Sequence, residues 1–234
     1  MNAFFLYSPL VLQTTIWPLV RPLFWLFLRL RVEGVARLSD VDRRRGVIFV
    51  SSHGSELDSM LIPASLPFLS PLMPIFYTSR ERAFYAASGW RQMFYGGFLF
   101  KLWGAHRLMS GRQDYELSLS THIAILARGK SLLMFPDGKR VEESAIGSIA
   151  HGGVGYLGWR TKAVIIPVRI SGACRVSPFR ALLRRYQITV TFGEPMRAET
   201  LIGGEERPHV DACKRAAKDI MERVRILDQN RGRL

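Results

Sequence analysis

The sequence predicts an α/β protein: a single domain on a mixed, largely parallel central sheet flanked by helices, preceded by a hydrophobic two-helix membrane segment at the N-terminus. Three observations carry that expectation. Short apolar, β-branched runs at 47–50, 131–135 and 164–170 are bounded by turn residues and read as strands buried on both faces. Stretches of helical period lie between and after them, with Tyr115, Leu119, Ile123 and Leu126 on one face of 113–128. Strands alternating with helices favour parallel pairing. Residues 1–20, by contrast, carry no charge at all.

The N-terminal unit is residues 1–30, rich in Phe, Leu and Trp. It has no basic start and no small-residue cleavage site, which argues against a secretory signal. Pro9, Pro18, Pro22, Gln13 and two threonines spoil a single spanning helix, and Pro18 with Pro22 predict two short helices joined near residue 18. Their aromatic and aliphatic side chains would sink into one leaflet while Arg21, Arg29 and Arg31 meet head groups. The alternative is a buried helix of the core.

Residues 31–234 form the α/β domain. A short strand is expected at 30–34, a charged turn at 42–46, then the strand 47–50. Ser51, Ser52, His53 and Gly54 make a strand-to-helix turn, and 56–66 suits a helix with acids near its start. Further strands are expected at 72–78 and 105–108. Residues 79–100 read as an aromatic-rich helix broken at Gly96-Gly97, suited to core packing, an apolar tunnel or lipid contact. Gly129 ends the helix 113–128. Residues 146–160 are a Gly-rich helix or loop, and 188–192 alternate as a strand. Val210, Cys213, Ala217, Ile220 and Val224 mark an amphipathic closing helix.

The net charge is +14, from 33 Lys and Arg against 19 Asp and Glu. That excess favours an anionic partner: a nucleic acid, an acidic membrane surface, or a phosphorylated or acidic carrier substrate. Cys174 and Cys213 lie far apart and form neither a disulfide framework nor a zinc motif, which suits a reducing compartment.

His53 stands at the mouth of the first turn and Asp58 five residues later, at the start of the following helix. A carboxylate that folds back onto an imidazole fixes its tautomer and stabilises the imidazolium, which would make the histidine a general base; the alternative is a helix-capping histidine beside a solvated aspartate. Pro136-Asp137-Gly138-Lys139-Arg140 places a carboxylate, two cations and a flexible backbone in one turn. Lys139 and Arg140 could grip a phosphate there, with Gly138 admitting backbone amides to an anion, or the charges could simply be solvated. Arg107 sits in an apolar strand and would need a partner, either a ligand phosphate or a structural carboxylate. His106, His122, His151 and His209 lack matching partners and read as ordinary histidines. Ligands of such sheets gather at the carboxyl ends of strands, where His53, Arg107 and the 137–140 turn would converge.

In that order these residues resemble the glycerolipid acyltransferase family, typified by 1-acyl-sn-glycerol-3-phosphate acyltransferases. The family's H-x4-D motif is matched by His53 and Asp58, and its glycine-then-basic motif by Gly104-Ala105-His106-Arg107. F-P-E-G-T-R appears as Phe135-Pro136-Asp137-Gly138-Lys139-Arg140, and a V-P-V-type strand as Ile165-Ile166-Pro167-Val168. Val32-Glu33-Gly34 and Phe192-Gly193-Glu194-Pro195 match at the flanks, so the likeness spans 31–228. Asp137 replaces the family's glutamate and Lys139 its threonine, which leaves the acceptor's identity open.

The resemblance implies direct acyl transfer from acyl-CoA or acyl-carrier protein to the free hydroxyl of a lysophospholipid, 1-acyl-sn-glycerol-3-phosphate first and another lysophospholipid or lyso-amino-acid lipid second. His53 would act as base and Asp58 would orient it. Arg107, Asp137, Gly138, Lys139 and Arg140 would bind the acceptor. No metal, no cofactor beyond the thioester co-substrate and no nucleic acid are implied. The implied place is the membrane surface, at the cytoplasmic face of the inner membrane. A basic nucleic-acid-binding module and an inactive lipid-binding relative are the competing classes.

Overall fold

The backbone is known from a computed structural model that describes residues 2–79, 98–108, 114–142, 145–174, 176–203 and 208–227. Its centre is β2 (Val47–Ser51), a strand with every residue buried. β5 (Ser131–Met134) and β6 (Val164–Ser171) lie on either side of it and both run parallel to it, with Phe49 opposite Leu133 and Ile166. β3 (Ile75–Ser79) and β4 (Ala105–Arg107) extend the sheet beyond β5. β7 (Thr189–Phe192) and β1 (Arg31–Glu33) extend it beyond β6. The order is β1-β7-β6-β2-β5-β3-β4, and the short β8 (Met196–Arg197) pairs with β6. The sheet is mixed because β7 and β8 run antiparallel to β6.

Alternate residues of β2 enter two cores. Ile48 and Val50 share one with Leu157 of α6 (Gly153–Thr161) and with Ile220 and Val224 of α9 (Val210–Ile226). Val47 and Phe49 share the other with Leu61 and Ile62 of α2 (Asp58–Ser65). Two covered faces explain why these strands read as continuous apolar runs rather than alternating ones. The glycines of 146–160 serve helix packing. A Cβ on Gly155 would lie 2.5 Å from the Cys213 carbonyl oxygen, so only glycine lets α6 come this close to α9. The helix expected over 113–128 is α4 (Tyr115–Ser118) followed by α5 (Ser120–Leu126). Leu119, with φ −110°, interrupts the regular run, although its N–H still reaches Tyr115 O.

The largest departure from expectation is at the N-terminus. Residues 3–28 form one helix, α1 (Ala3–Leu28), that carries Pro9, Pro18 and Pro22 inside it. Each proline forfeits a helical hydrogen bond. Bonds from the helix to the domain offset that loss: Gln13 to Ile75 and Trp103, Trp17 Nε1–H to Leu66 O, and Arg21 to Ala64 O. Residues 13, 17 and 21 are spaced one turn apart, so Gln13, which argued against a span, joins Trp17 and Arg21 in a docking stripe. Pro9 also packs on Gly104, whose φ of +105° no ordinary side chain adopts and whose missing Cβ leaves room for the ring.

The aromatic-rich helix expected over 79–100 lies outside the described residues, except for its end in α3 (Phe98–Leu102). Two α-helices had no sequence expectation, α7 (Pro178–Leu182) and α8 (Glu199–Ile202), and neither did β8 or the 3-10 turn Val35–Leu38.

Candidate active site

β2 delivers the chain to its carboxyl end at Ser51, and α2 begins at Asp58, the acid in its first turn. The loop between them is tied up by that one carboxylate. Asp58 Oδ2 accepts the N–H groups of Gly54 and Ser55, both at 2.8 Å, and lies 3.0 Å from His53 Nδ1. Its Oδ1 accepts the Ser55 hydroxyl at 2.9 Å. Asp58 is 1% exposed. Four donors and a helix N-terminus make the burial of an ionised carboxylate tolerable. Because a carboxylate only accepts, Nδ1 carries the hydrogen and Nε2 is the basic nitrogen. The ring lies on Phe135, with centroids 4.6 Å apart and planes at 25°. The His53 carbonyl accepts Val141 N–H at 2.8 Å, which locks this loop to the turn that follows β5. The His53 side chain is only part-buried, with 29% of its surface exposed.

The 136–140 turn sits beside His53, as the adjacency of β2 and β5 requires, but its side chains divide differently from expectation. Asp137 is 1% exposed and faces inward rather than towards an acceptor or Arg140. Burial pushes its carboxyl up to about 6, while the backbone of Gly147 and His53 and the His53 ring pull the other way. The carboxylate that meets Arg140 is Glu56, at 2.8 Å. Gly138, with φ +66°, donates its N–H to Phe135 O and closes the turn, so that amide is not spare for an anion. Lys139 is exposed.

Arg107 is the second correction. It is not buried in an apolar strand but exposed at the carboxyl end of β4. β4 stands three strands from β2, roughly 14 Å at ordinary strand spacing. Its neighbours His106, within β4 itself, and His122, whose Nε2 lies 3.3 Å from the His106 carbonyl oxygen, are structural: burial pushes both down to about 4. His151 and His209 are exposed.

A cavity of about 1050 Å³ abuts the His53 loop. Gly54, Ser55, Glu56 and Arg140 form its polar end, and Leu23, Phe24 and Phe27 of α1 part of its apolar wall. Sequence reasoning missed Glu56 and these three α1 residues as site residues. Glu56 could have been found from its place inside the His53–Asp58 loop, and the apolar wall from the unbroken run at 23–28.

Two comparisons bear on this arrangement. The sequence model of the acyltransferase family matches residues 29–171, more than half of the chain. The fold is shared with the crystal structure of the 1-acyl-sn-glycerophosphate (LPA) acyltransferase PlsC from Thermotoga maritima, with a TM-score of 0.61 and 18% identity over 96% of this chain and 80% of that one. The matched segment runs from the end of α1 through β6 and so contains the His53–Asp58 loop, the 136–140 turn and the strands that carry them. The chain belongs to the acyltransferase family.

Proposed function

We propose that this enzyme moves an acyl group from a thioester, acyl-CoA or acyl-carrier protein, to the free hydroxyl of 1-acyl-sn-glycerol-3-phosphate, giving phosphatidic acid and a free thiol. One observation carries the reading: a His–Asp couple sits in a loop whose next residues, Gly54 to Leu57, line a cavity that is charged at one end and apolar along its wall. His53 Nε2 takes the proton from the acceptor hydroxyl as its oxygen attacks the thioester carbonyl carbon. The new C–O bond forms, the C–S bond breaks, and the thiolate leaves with the proton from the imidazolium. Asp58 holds the ring in place and stabilises its charged state. The couple needs no resident cofactor and no metal for these steps. Arg140, at the polar end of the cavity, would meet the acceptor phosphate, supported by Lys139. Arg107 would serve only an acceptor long enough to reach the sheet edge, and Asp137 and Gly138 hold the turn.

The lysophosphatidate acceptor follows the activity named for the structural relative, and the exposed apolar face of α1 suits work at a membrane surface, which we place at the cytoplasmic face of the inner membrane. The Glu56–Arg140 pair favours a second reading. A carboxylate beside the cation suits an acceptor that carries an amine as well as an anion, as a lyso-amino-acid lipid does. Thiol release from acyl-CoA, measured across lysophosphatidate, lysophosphatidylcholine and a lyso-amino-acid lipid, separates the readings. Lysophosphatidate should be used best, and Arg140→Ala should raise its KM roughly ten- to a hundredfold with the donor KM little changed. Preference for the amino-acid lipid would select the second reading, and no turnover with any acceptor would refute both.

A further inference from the structure

Among the described residues, the exposed large apolar side chains are not scattered. All but Leu117, Ile149 and Ile226 lie on α1 or on three short elements beside it. Phe68 and Leu69 stand next to Trp17, whose ring meets Phe68 at 5.2 Å. Phe98 and Leu99 stand next to Phe5, whose ring meets Phe98 at 6.0 Å. Phe179 and Leu182 stand on α7, which packs against α1, and Leu183 follows it directly. A concentration of apolar surface on one side of a molecule marks an interaction face.

The α7 excursion between β6 and β7 is the least expected part of that face. It is ordered, not loose: Tyr186 Oη accepts Ser177 N–H at 2.9 Å, and Arg185 N–H donates to Arg180 O at 3.0 Å. This closed loop holds Phe179 at 70% and Leu183 at 48% exposure. Arg180, Arg184 and Arg185 flank them, all exposed, and residues 171–188 contain no acid. The Ile188 N–H to Leu28 O bond and the pairing of Arg31 with Thr189 bring Arg29 and Arg31 to the same rim. Leu182 of the excursion and Leu23 of α1 both line the cavity beside the His53 loop.

We infer that residues 177–186 are a second membrane-contacting element. Phe179 and Leu183 enter one leaflet, while the arginines bind anionic head groups. The cavity between α1 and α7 thereby opens onto the bilayer, and a lysolipid acceptor enters it from the membrane. The commitment to a lipid surface comes from charge: an apolar tip inside an arginine rim matches an anionic interface, where each basic residue adds about 1 kcal/mol. The lateral entry rests on the acyl-transfer reading of the cavity; the membrane contact does not.

The test uses the full chain and vesicles of phosphatidylcholine with and without phosphatidylglycerol. Phe179→Glu combined with Leu183→Glu should lower partitioning onto the anionic vesicles roughly tenfold or more, and Arg184→Gln with Arg185→Gln should remove most of the preference for phosphatidylglycerol. Acyl transfer to lysolipid embedded in vesicles should fall with partitioning. Transfer to a short-chain acceptor free in solution should keep its rate, which also shows that the variants fold. Unchanged partitioning in both double variants overturns the inference. So does an equal loss of rate on the soluble acceptor, or a loss seen only when carrier protein is the donor. Absence of acyl transfer in every format, with partitioning still lost, would refute the proposed reaction and leave the membrane contact standing.

Discussion

His53 and Asp58 were legible in the sequence because the whole couple lies within one short loop, and the motifs that follow in family order decided between a catalytic pair and a capping one. Asp137 and Arg107 were not, since their environments depend on which way a turn faces and on how far a strand lies from the centre of the sheet. The same holds for His106 and His122, which sequence spacing left as ordinary and the fold makes responsive to acid. Burial holds both down to about 4 when folded, whereas an unfolded histidine titrates near 6.5. The unfolded chain therefore binds more protons, and the stabilisation present above about pH 6.5 is lost as pH falls towards 4. Asp137 works the other way: its folded value is raised to about 6, so its contribution is greatest below about pH 4 and lost as pH rises through 6. Two histidines against one aspartate leave a net loss in acid, of at most about 3 kcal/mol per group. Urea midpoints should fall between pH 7 and pH 4.5, and the fall should be shallower in His122→Gln. A midpoint independent of pH in the parent protein would show that the two rings are not buried as described.

At the scale of elements, β2, β5 and β6 were readable because strands covered on both faces are apolar throughout. α1 was misread because three prolines and an uncharged glutamine look like defects in a free helix. Docked against the sheet edge, Gln13 is 2% exposed and behaves like one more peptide group. Its amide donates to Ile75 O at 2.8 Å and to Trp103 O at 3.1 Å and accepts Ile75 N–H at 2.9 Å. By length and composition α1 could also cross a bilayer. Gln13→Leu separates the two arrangements. A leucine makes a spanning helix more apolar and more stable in lipid. In the docked helix it strands three buried backbone groups and should lower stability by about 3 kcal/mol, with protease cutting near Arg29 and Arg31 at lower denaturant. Unchanged or increased stability would contradict docking.

The whole molecule joins these scales through sheet order. Because β2 lies between β5 and β6, the loop bearing His53 and the turn bearing Arg140 emerge side by side, and α1 and α7 close the cavity in front of them. The alternation of strands and helices foretold a largely parallel sheet. It could not foretell that β7 turns back antiparallel to β6, nor that the chain from 177 to 186 would be held out as an apolar loop, since so short a stretch has no period to read. The central claim is that this assembly makes His53 a general base for acyl transfer. Its most direct test is the initial rate of thiol release from acyl-CoA in the presence of lysophosphatidate, for the parent protein and for His53→Ala with matched thermal unfolding. The expected result is a rate lower by a factor of about 10² to 10⁴. Near-normal turnover in a folded His53→Ala protein would contradict it.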